Sequence, residues 1–230
     1  EMFKDVNVGQ GDSSPARLRH WMSSDWNSWE RVQTIVEGTG VLGDIKQFTW
    51  SPTWFWHEKE NRWSIIWRGS NSAFRYVSDR QGLAGITGKY SEQKQLIPPL
   101  SGFIRQCDYD YIHSFGGIYK GKDDFYYGFY GLYNQTQGYD IWYNALAKAP
   151  NIDGPWSRVS AQFPELIFSE NPVVIEENGT YFAVYDDLSF QHSIGFAYSE
   201  DGRNWVRKTL DLNGYTPWVA QTNLVGSLRT

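Results

Sequence analysis

Glu170 stands in Glu170-Asn171-Pro172, ahead of a run of β-branched and aromatic residues, and is a candidate carboxylate for acid–base chemistry. A carboxyl packed among Phe168, Pro172 and neighbouring rings loses solvation. Its charged form is then disfavoured, and it keeps a proton near neutral pH as a general acid must. The plainer reading makes Glu170 a turn cap or the partner of an arginine. Asp108-Tyr109-Asp110 offers a second acid. Residues two apart in a strand point to the same side, so Asp108 and Asp110 are alternatives that spacing does not separate. Asp186-Asp187 is either a further pair of site acids or a turn. His192, in Gln191-His192-Ser193 just before a strand, is an alternative acid–base group, with a hydrogen-bonded structural role as the plainer reading. Trp50, Trp54 and Trp218 complete the set as flat platforms. Sugars present apolar C–H faces and a dense hydroxyl edge, so rings beside acids suit them; in a β protein the same rings more often serve as core.

Residues so far apart in the chain need a scaffold that repeats. The stretch from Ser169 to Trp205 reads as strands over 173–175, 181–185 and 194–199, with Asn178-Gly179 and Asp201-Gly202 as turns between and after them. One such antiparallel unit cannot bury both its faces alone, so neighbours of its kind are expected. Ser23-Ser24-Asp25 followed by Trp29 parallels Ser199-Glu200-Asp201 followed by Trp205. A second copy runs over 48–79, with Trp50-Ser51-Pro52 and strands over 53–56, 63–67 and 74–78. A third starts near Cys107-Asp108-Tyr109-Asp110, with strands over 125–130 and 140–147 and Asp153-Gly154-Pro155-Trp156 at its close. Closing acids near Asp25, Asp79, Asp153 and Asp201 suit about four strands per repeat, the range of propeller blades. The expected fold is an all-β propeller, one domain over 1–230, with 1–20 as a loop or frayed start. A β-sandwich is the alternative, but it does not explain the repeated order.

Composition narrows the partners. The chain has 230 residues, twelve tryptophans and a formal charge of −5. That balance carries no clustered basic footprint for nucleic acid, and no apolar run is long enough to span a bilayer. The single Cys107 excludes an internal disulfide and a multi-cysteine metal site. His20, His57 and His113 fall at no metal-binding spacing, so no metal site is expected. Glu1-Met2-Phe3-Lys4 leads into polar residues, and the reading expects no signal peptide here.

Aligned, the copies resemble the five-bladed β-propeller glycoside hydrolases, a superfamily that includes the arabinanase/xylosidase family 43, invertase-type enzymes and anhydro-galactosidases. Trp50-Ser51-Pro52 is similar to the Trp-Ala-Pro opening of the second blade, and Glu170-Asn171-Pro172 to the Glu-x-Pro opening of the fourth. Asp108-Tyr109-Asp110 stands where the third blade carries Asp-Pro, here without the proline. The resemblance covers about 21–210. It implies carbohydrate as the partner, an inverting mechanism, Glu170 as acid, Asp108 (or Asp110) as the tuning carboxylate, and an extracellular or periplasmic location. It implies no organic cofactor and leaves room for an axial ion such as calcium. Stepping back from Trp29 by the distance from Glu170 to Trp205 passes residue 1, and Asp5 and Asp12 lie too close to the closing turn to be the base. The expectation is therefore a fragment truncated at both ends, about three complete blades and parts of two others. It lacks the general base, which leaves an inactive carbohydrate-binding or structural propeller as the alternative to a glycosidase, and it associates with itself through incomplete blades.

Overall fold

A computed structural model describes residues 2–3, 17–41, 43–69, 72–97, 111–134, 141–159, 166–167, 169–187, 193–208 and 218–219. The chain divides into two compact units, Glu1–Pro99 and Leu100–Thr230. Every regular element of the described residues is a β-strand or a short 3₁₀ turn. The first unit holds two antiparallel sheets. One joins β1 (Met2–Phe3), β2 (Arg17–Met22) and β3 (Glu30–Glu37). The other is a meander of β4 (Trp50–His57), β5 (Arg62–Arg68), β6 (Ala73–Gln81) and β7 (Tyr90–Ile97). The second unit repeats the meander twice. β8 (Tyr111–Lys120), β9 (Tyr126–Asn134), β10 (Ile141–Ala149) and β11 (Ser157–Arg158) form its first sheet, and β12 (Leu166–Ile167) also pairs with β10. β13 (Ser169–Glu177), β14 (Thr180–Asp187), β15 (Ser193–Ser199) and β16 (Val206–Lys208) form its second, and β17 (Trp218–Val219) also pairs with β15.

The turns follow their residues. Asn178 and Gly179 both have positive φ, +53° and +78°, as the two-residue hairpin between β13 and β14 requires. The paired Ser-x-Asp turns are the same object twice. The N–H groups of Trp26 and Gly202 donate to Ser23 and Ser199 Oγ at 2.8 and 2.9 Å. Asp25 Oδ1 accepts from the N–H groups of Asn27 and Ser28, and Asp201 Oδ1 from those of Arg203 and Asn204, each at 2.8 Å. Such side-chain oxygens replace the backbone partners that a tight turn leaves unmade.

Two regions differ from the sequence reading. Met2–Phe3 and Arg17 to His20, assigned to the irregular start, form β1 and the first part of β2. Leu18 and His20 face inward while the residues between them are only part-buried, and pairing with β3 supplies the ladder that local sequence did not reveal. β7 was not anticipated, because the exposed positions of an edge strand have no need of apolar residues, and its run Tyr90-Ser91-Glu92-Gln93-Lys94-Gln95 reads as polar.

Each unit is held by aromatic packing between its sheets. In the first, Leu18 and Ile35 meet Ile65, Trp67, Phe74, Tyr76 and Tyr90, and Trp67 stacks on Phe74 at 4.6 Å. In the second, Tyr119, Tyr127, Phe129 and Leu146 meet Tyr181, Ala183, Tyr185 and Ala197. Trp205 adds its edge to Phe129 and Tyr119, at 5.3 and 6.0 Å. Around that core the two sheets are tied by Arg203, whose Nε donates to Tyr127 at 2.7 Å and whose Nη2 pairs with Asp123. Lys122 Nζ donates to the Glu200 carbonyl at 2.7 Å.

These ties make stability pH-dependent. Partial burial raises the Asp201 carboxyl, but the N–H groups of Asn204 and Arg203, the Asn204 amide and the Ser199 hydroxyl outweigh it and hold the group below its ordinary value. Burial likewise raises the Asp123 carboxyl, but hydrogen bonds from Tyr127 and Arg203 and the Arg203 charge outweigh it and hold the group below its ordinary value. A carboxyl lower in the folded than in the unfolded state stabilises above the unfolded value, about 3.9, and that stabilisation is lost as pH falls toward the folded one. The thermal midpoint is therefore expected to fall below about pH 4, and the fall is expected to be shallower in Asp201→Asn. Equal acid limbs in melts of the two proteins would remove this role.

Candidate functional site

The sheets share a device at the start of the first strand. Between Trp50, which faces Arg68, and Thr53, which faces Ile66, the register shifts by an extra residue, and Ser51 has φ +49°. Between Glu170, which faces Asp186, and Val173, which faces Val184, the same shift occurs, and Asn171 has φ +49°. The residue after each left-handed one is proline, which cannot donate to the ladder and fits a bulge. The bulge bends the strand and re-aims the side chain before it.

In the second unit this brings Glu170 and Asp186 directly opposite each other, on one face of the sheet. Directly opposed residues have Cβ atoms about 4.5–5.5 Å apart. The same cross-strand row continues through Ile194 of β15 to Trp218 of β17. Of the sequence candidates, Glu170, Asp186 and Trp218 therefore share one row by register. The pleat sends Asp187 to the other face, where it pairs with Arg207 at 2.6 Å, so the two acids of Asp186-Asp187 have different roles.

Glu170 is part-buried, and its backbone is fixed from behind. Asn144 of β10, fully buried, donates from Nδ2 to the Ser169 carbonyl at 2.7 Å and to Ser169 Oγ at 2.9 Å. Ser169 Oγ in turn donates to the Leu166 carbonyl at 2.9 Å. The sequence reading missed this clamp. Its one signal is an asparagine inside the apolar strand run Tyr143-Asn144-Ala145-Leu146, where a buried amide needs a specific partner. Leucine at Asn144 is expected to cost about 1–3 kcal/mol, because it leaves the buried Ser169 carbonyl without its donor. The Asn144 Oδ1, buried without a partner, offsets part of that loss. Urea unfolding at neutral pH measures it, and an unchanged midpoint would show the clamp to be dispensable.

Trp50 sits at the equivalent position in the first unit. Its ring stacks on Phe48 with centroids 4.7 Å apart, and the Arg68 guanidinium lies 4.5 Å from its centroid. Arg68 is nearly fully buried and is a second residue that sequence reasoning missed. Trp54 is 37% exposed, and edges of His20, Tyr90 and Trp63 surround it at 5.0, 5.3 and 6.3 Å. Asp108, Asp110 and His192 lie outside the described residues, as does the side chain of Trp218. In the third copy the left-handed bulge falls at Gly117, φ +57°, between the pairs Gly116–Phe129 and Tyr119–Tyr127. Gly116 thus occupies the position of Trp50 and Glu170. A Cβ on Gly117 would lie 2.7 Å from the Pro172 carbonyl oxygen, so the opening bulges of the two sheets touch. Among the described residues no three His, Cys, Asp or Glu gather at metal-binding distance, and no helix is long and apolar enough to cross a membrane.

No protein-family model and no curated protein matches this sequence. Solved structures do match. Zg3597, a family 117 glycoside hydrolase from the marine bacterium Zobellia galactanivorans, superposes with a TM-score of 0.64 at 13% identity, over 90% of this chain and 57% of its own. An exo-1,5-α-L-arabinanase from a bovine ruminal metagenomic library gives 0.59 at 13% identity, over 87% and 71%. The α-L-arabinofuranosidase CtGH43 from Clostridium thermocellum gives 0.56 at 15%, over 92% and 73%. The chain thus spans little more than half the length of Zg3597. At these identities the likeness shows the fold, and the fold is the all-β propeller of these enzymes.

Proposed function

We propose that this chain belongs to a carbohydrate-active propeller of five blades, with poly- or oligosaccharide and further copies of itself as partners. Glu170 protonates the departing glycosidic oxygen, and the complete protein cleaves with inversion, a carboxylate across the sugar activating water. The observation that supports this reading is Glu170 at a left-handed bulge, directly opposite Asp186 and braced by Ser169 and Asn144. Asp108 or Asp110 is the tuning carboxylate, and Trp218, in the row of Glu170, supplies ring surface to the sugar; in the first unit, taken by itself, Trp50 and Trp54 are ring surfaces for sugar. His192 is the alternative acid–base group.

A second reading, a propeller that binds glycan without cutting it, is favoured by one feature. Gly116 offers no side chain at the position that carries Trp50 and Glu170 elsewhere. Plant, algal and microbial polysaccharides, assayed for release of reducing ends and by titration calorimetry, separate the two. Cleavage that Glu170→Gln abolishes supports the enzyme. Binding without cleavage, equal in parent and variant, supports the binding module. Neither binding nor cleavage across the panel overturns both.

A further inference from the structure

Asn178 and Gly179 form the tip of the hairpin between β13 and β14, and neither belongs to the proposed site. Asn178 is exposed, and Gly179 carries no side chain to shield its own nitrogen. Such a pair can react with itself. The Gly179 backbone nitrogen attacks Asn178 Cγ and gives up its proton to solvent. The new N–C bond closes a five-membered imide, and the Cγ–Nδ2 bond breaks with loss of ammonia. Water then opens the imide at either carbonyl. One opening leaves aspartate at position 178, and the other leaves isoaspartate, in which the chain continues through the former side chain. Water enters, ammonia leaves, and nothing is oxidised or reduced.

The closed hairpin opposes the first step in three ways. Asn178 has φ +53°, and the left-handed region pairs that angle with a ψ of about +47°. At such a ψ the following nitrogen lies across the Cα–C bond from Cβ, so the amide carbon and its attacker are held apart. The Gly179 N–H also donates to Glu176 Oε1 at 2.5 Å. A carboxylate in that place retains the proton whose loss makes the nitrogen nucleophilic. The tip is tied down as well. Glu176 faces Tyr181 and Glu177 faces Thr180, and the Tyr181 hydroxyl donates to the Lys120 carbonyl at 3.1 Å.

We propose that Asn178 is a deamidation site gated by its hairpin, protected while the β13–β14 tip is closed and converted to aspartate or isoaspartate when the tip opens. Local opening costs less than global unfolding, so the open fraction sets the rate. Conversion runs one way. Either product places a further carboxylate beside Glu176 and Glu177, and isoaspartate adds a carbon to the backbone of a two-residue turn that fixes the strand register. Glu170 lies at the other end of β13. The proposal involves no sugar chemistry and stands or falls apart from the proposed function.

The full chain, incubated in mildly alkaline buffer made with heavy-oxygen water, with and without urea, and then digested in acid, tests it. Peptide mass spectrometry reads oxygen uptake at Asn178 separately from Asn213-Gly214, the other Asn-Gly pair of the sequence. An isoaspartate-specific methyltransferase measures the rearranged product. Uptake at Asn178 is expected to be at least about tenfold slower in the folded chain than in urea. Glu176→Ala and Tyr181→Phe each remove one hydrogen bond of the closed tip. Each is expected to speed uptake in the folded chain at least about threefold and to leave the rate in urea unchanged. Circular dichroism establishes that the variants fold, and Glu176→Gln replaces Glu176→Ala if that protein does not. Equal rates with and without urea overturn the proposal. So does a folded rate that neither substitution changes, or an absence of uptake at Asn178 in urea.

Discussion

On the proposed reading, glutamine in place of Glu170 in the complete protein is expected to lower the rate of glycan cleavage by about 10²–10⁴-fold, the range that positioned proton transfer contributes. Glutamine keeps the size of the side chain and its capacity to accept a hydrogen bond, and it has no acidic proton to deliver. Substrate binding measured by calorimetry should therefore stay near the parent value, so the loss falls on kcat and leaves KM nearly unchanged. The pH–rate profile gives an independent reading. A general acid works only while protonated, so the parent should lose activity as pH rises through the value of the acid in the complex, and the variant should lack that limb. A variant that retains the limb would locate the proton donor elsewhere. Asp186→Asn is the companion substitution. Asp186 lies opposite Glu170 on the same face, so the two changes should not combine additively, whereas distant sites would.

Alanine at Gly117 is expected to cost about 2–4 kcal/mol, from a left-handed backbone that alanine rarely adopts and from overpacking against a carbonyl. The site has φ +57°, and an added Cβ meets the Pro172 carbonyl oxygen at 2.7 Å and a Phe129 ring carbon at 3.4 Å. The nearest atom belongs to a backbone, so it does not swing away as the end of a side chain would. Gly179 provides the contrast. Its φ is +78°, but an added Cβ finds nothing closer than the flexible end of Lys122 at 3.5 Å. Alanine there should cost only the conformational part, about 1–2 kcal/mol. At about 2–4 °C per kcal/mol for a chain of this size, the Gly117 variant should melt roughly 4–16 °C below the parent. Equal midpoints for the two variants would mean that the opening bulges do not press on each other in solution. Because Pro172 follows Glu170 by two positions, a destabilised Gly117 contact should also disturb the acid.

Local chemistry by itself determined much of this protein. The strand centres at 173–175, 181–185 and 194–199 are legible because β-branched and aromatic residues alternate between turn residues with a fixed conformational demand. Asn178-Gly179 specifies its hairpin for that reason, and Ser199 with Asp201, like Ser23 with Asp25, specifies a turn through its own side-chain oxygens. Glu170-Asn171-Pro172 and Trp50-Ser51-Pro52 mark the openings of strands, but the left-handed bulges at Ser51 and Asn171 appear only in the folded chain. Tertiary structure decided what depends on pairing between distant segments. Asp186 and Asp187 are chemically equal in the chain, and only the register across β13 and β14 turns one toward Glu170 and the other toward Arg207. The third bulge at Gly117 carries no proline and is set by its closeness to Pro172. Asn144 becomes the brace of Ser169 only when β10 lies against the start of β13, and β7 becomes a strand only when β6 offers it an edge. Periodicity and turn preference act within a few residues of one another, whereas register and burial arise from contacts that the chain makes only after it has folded.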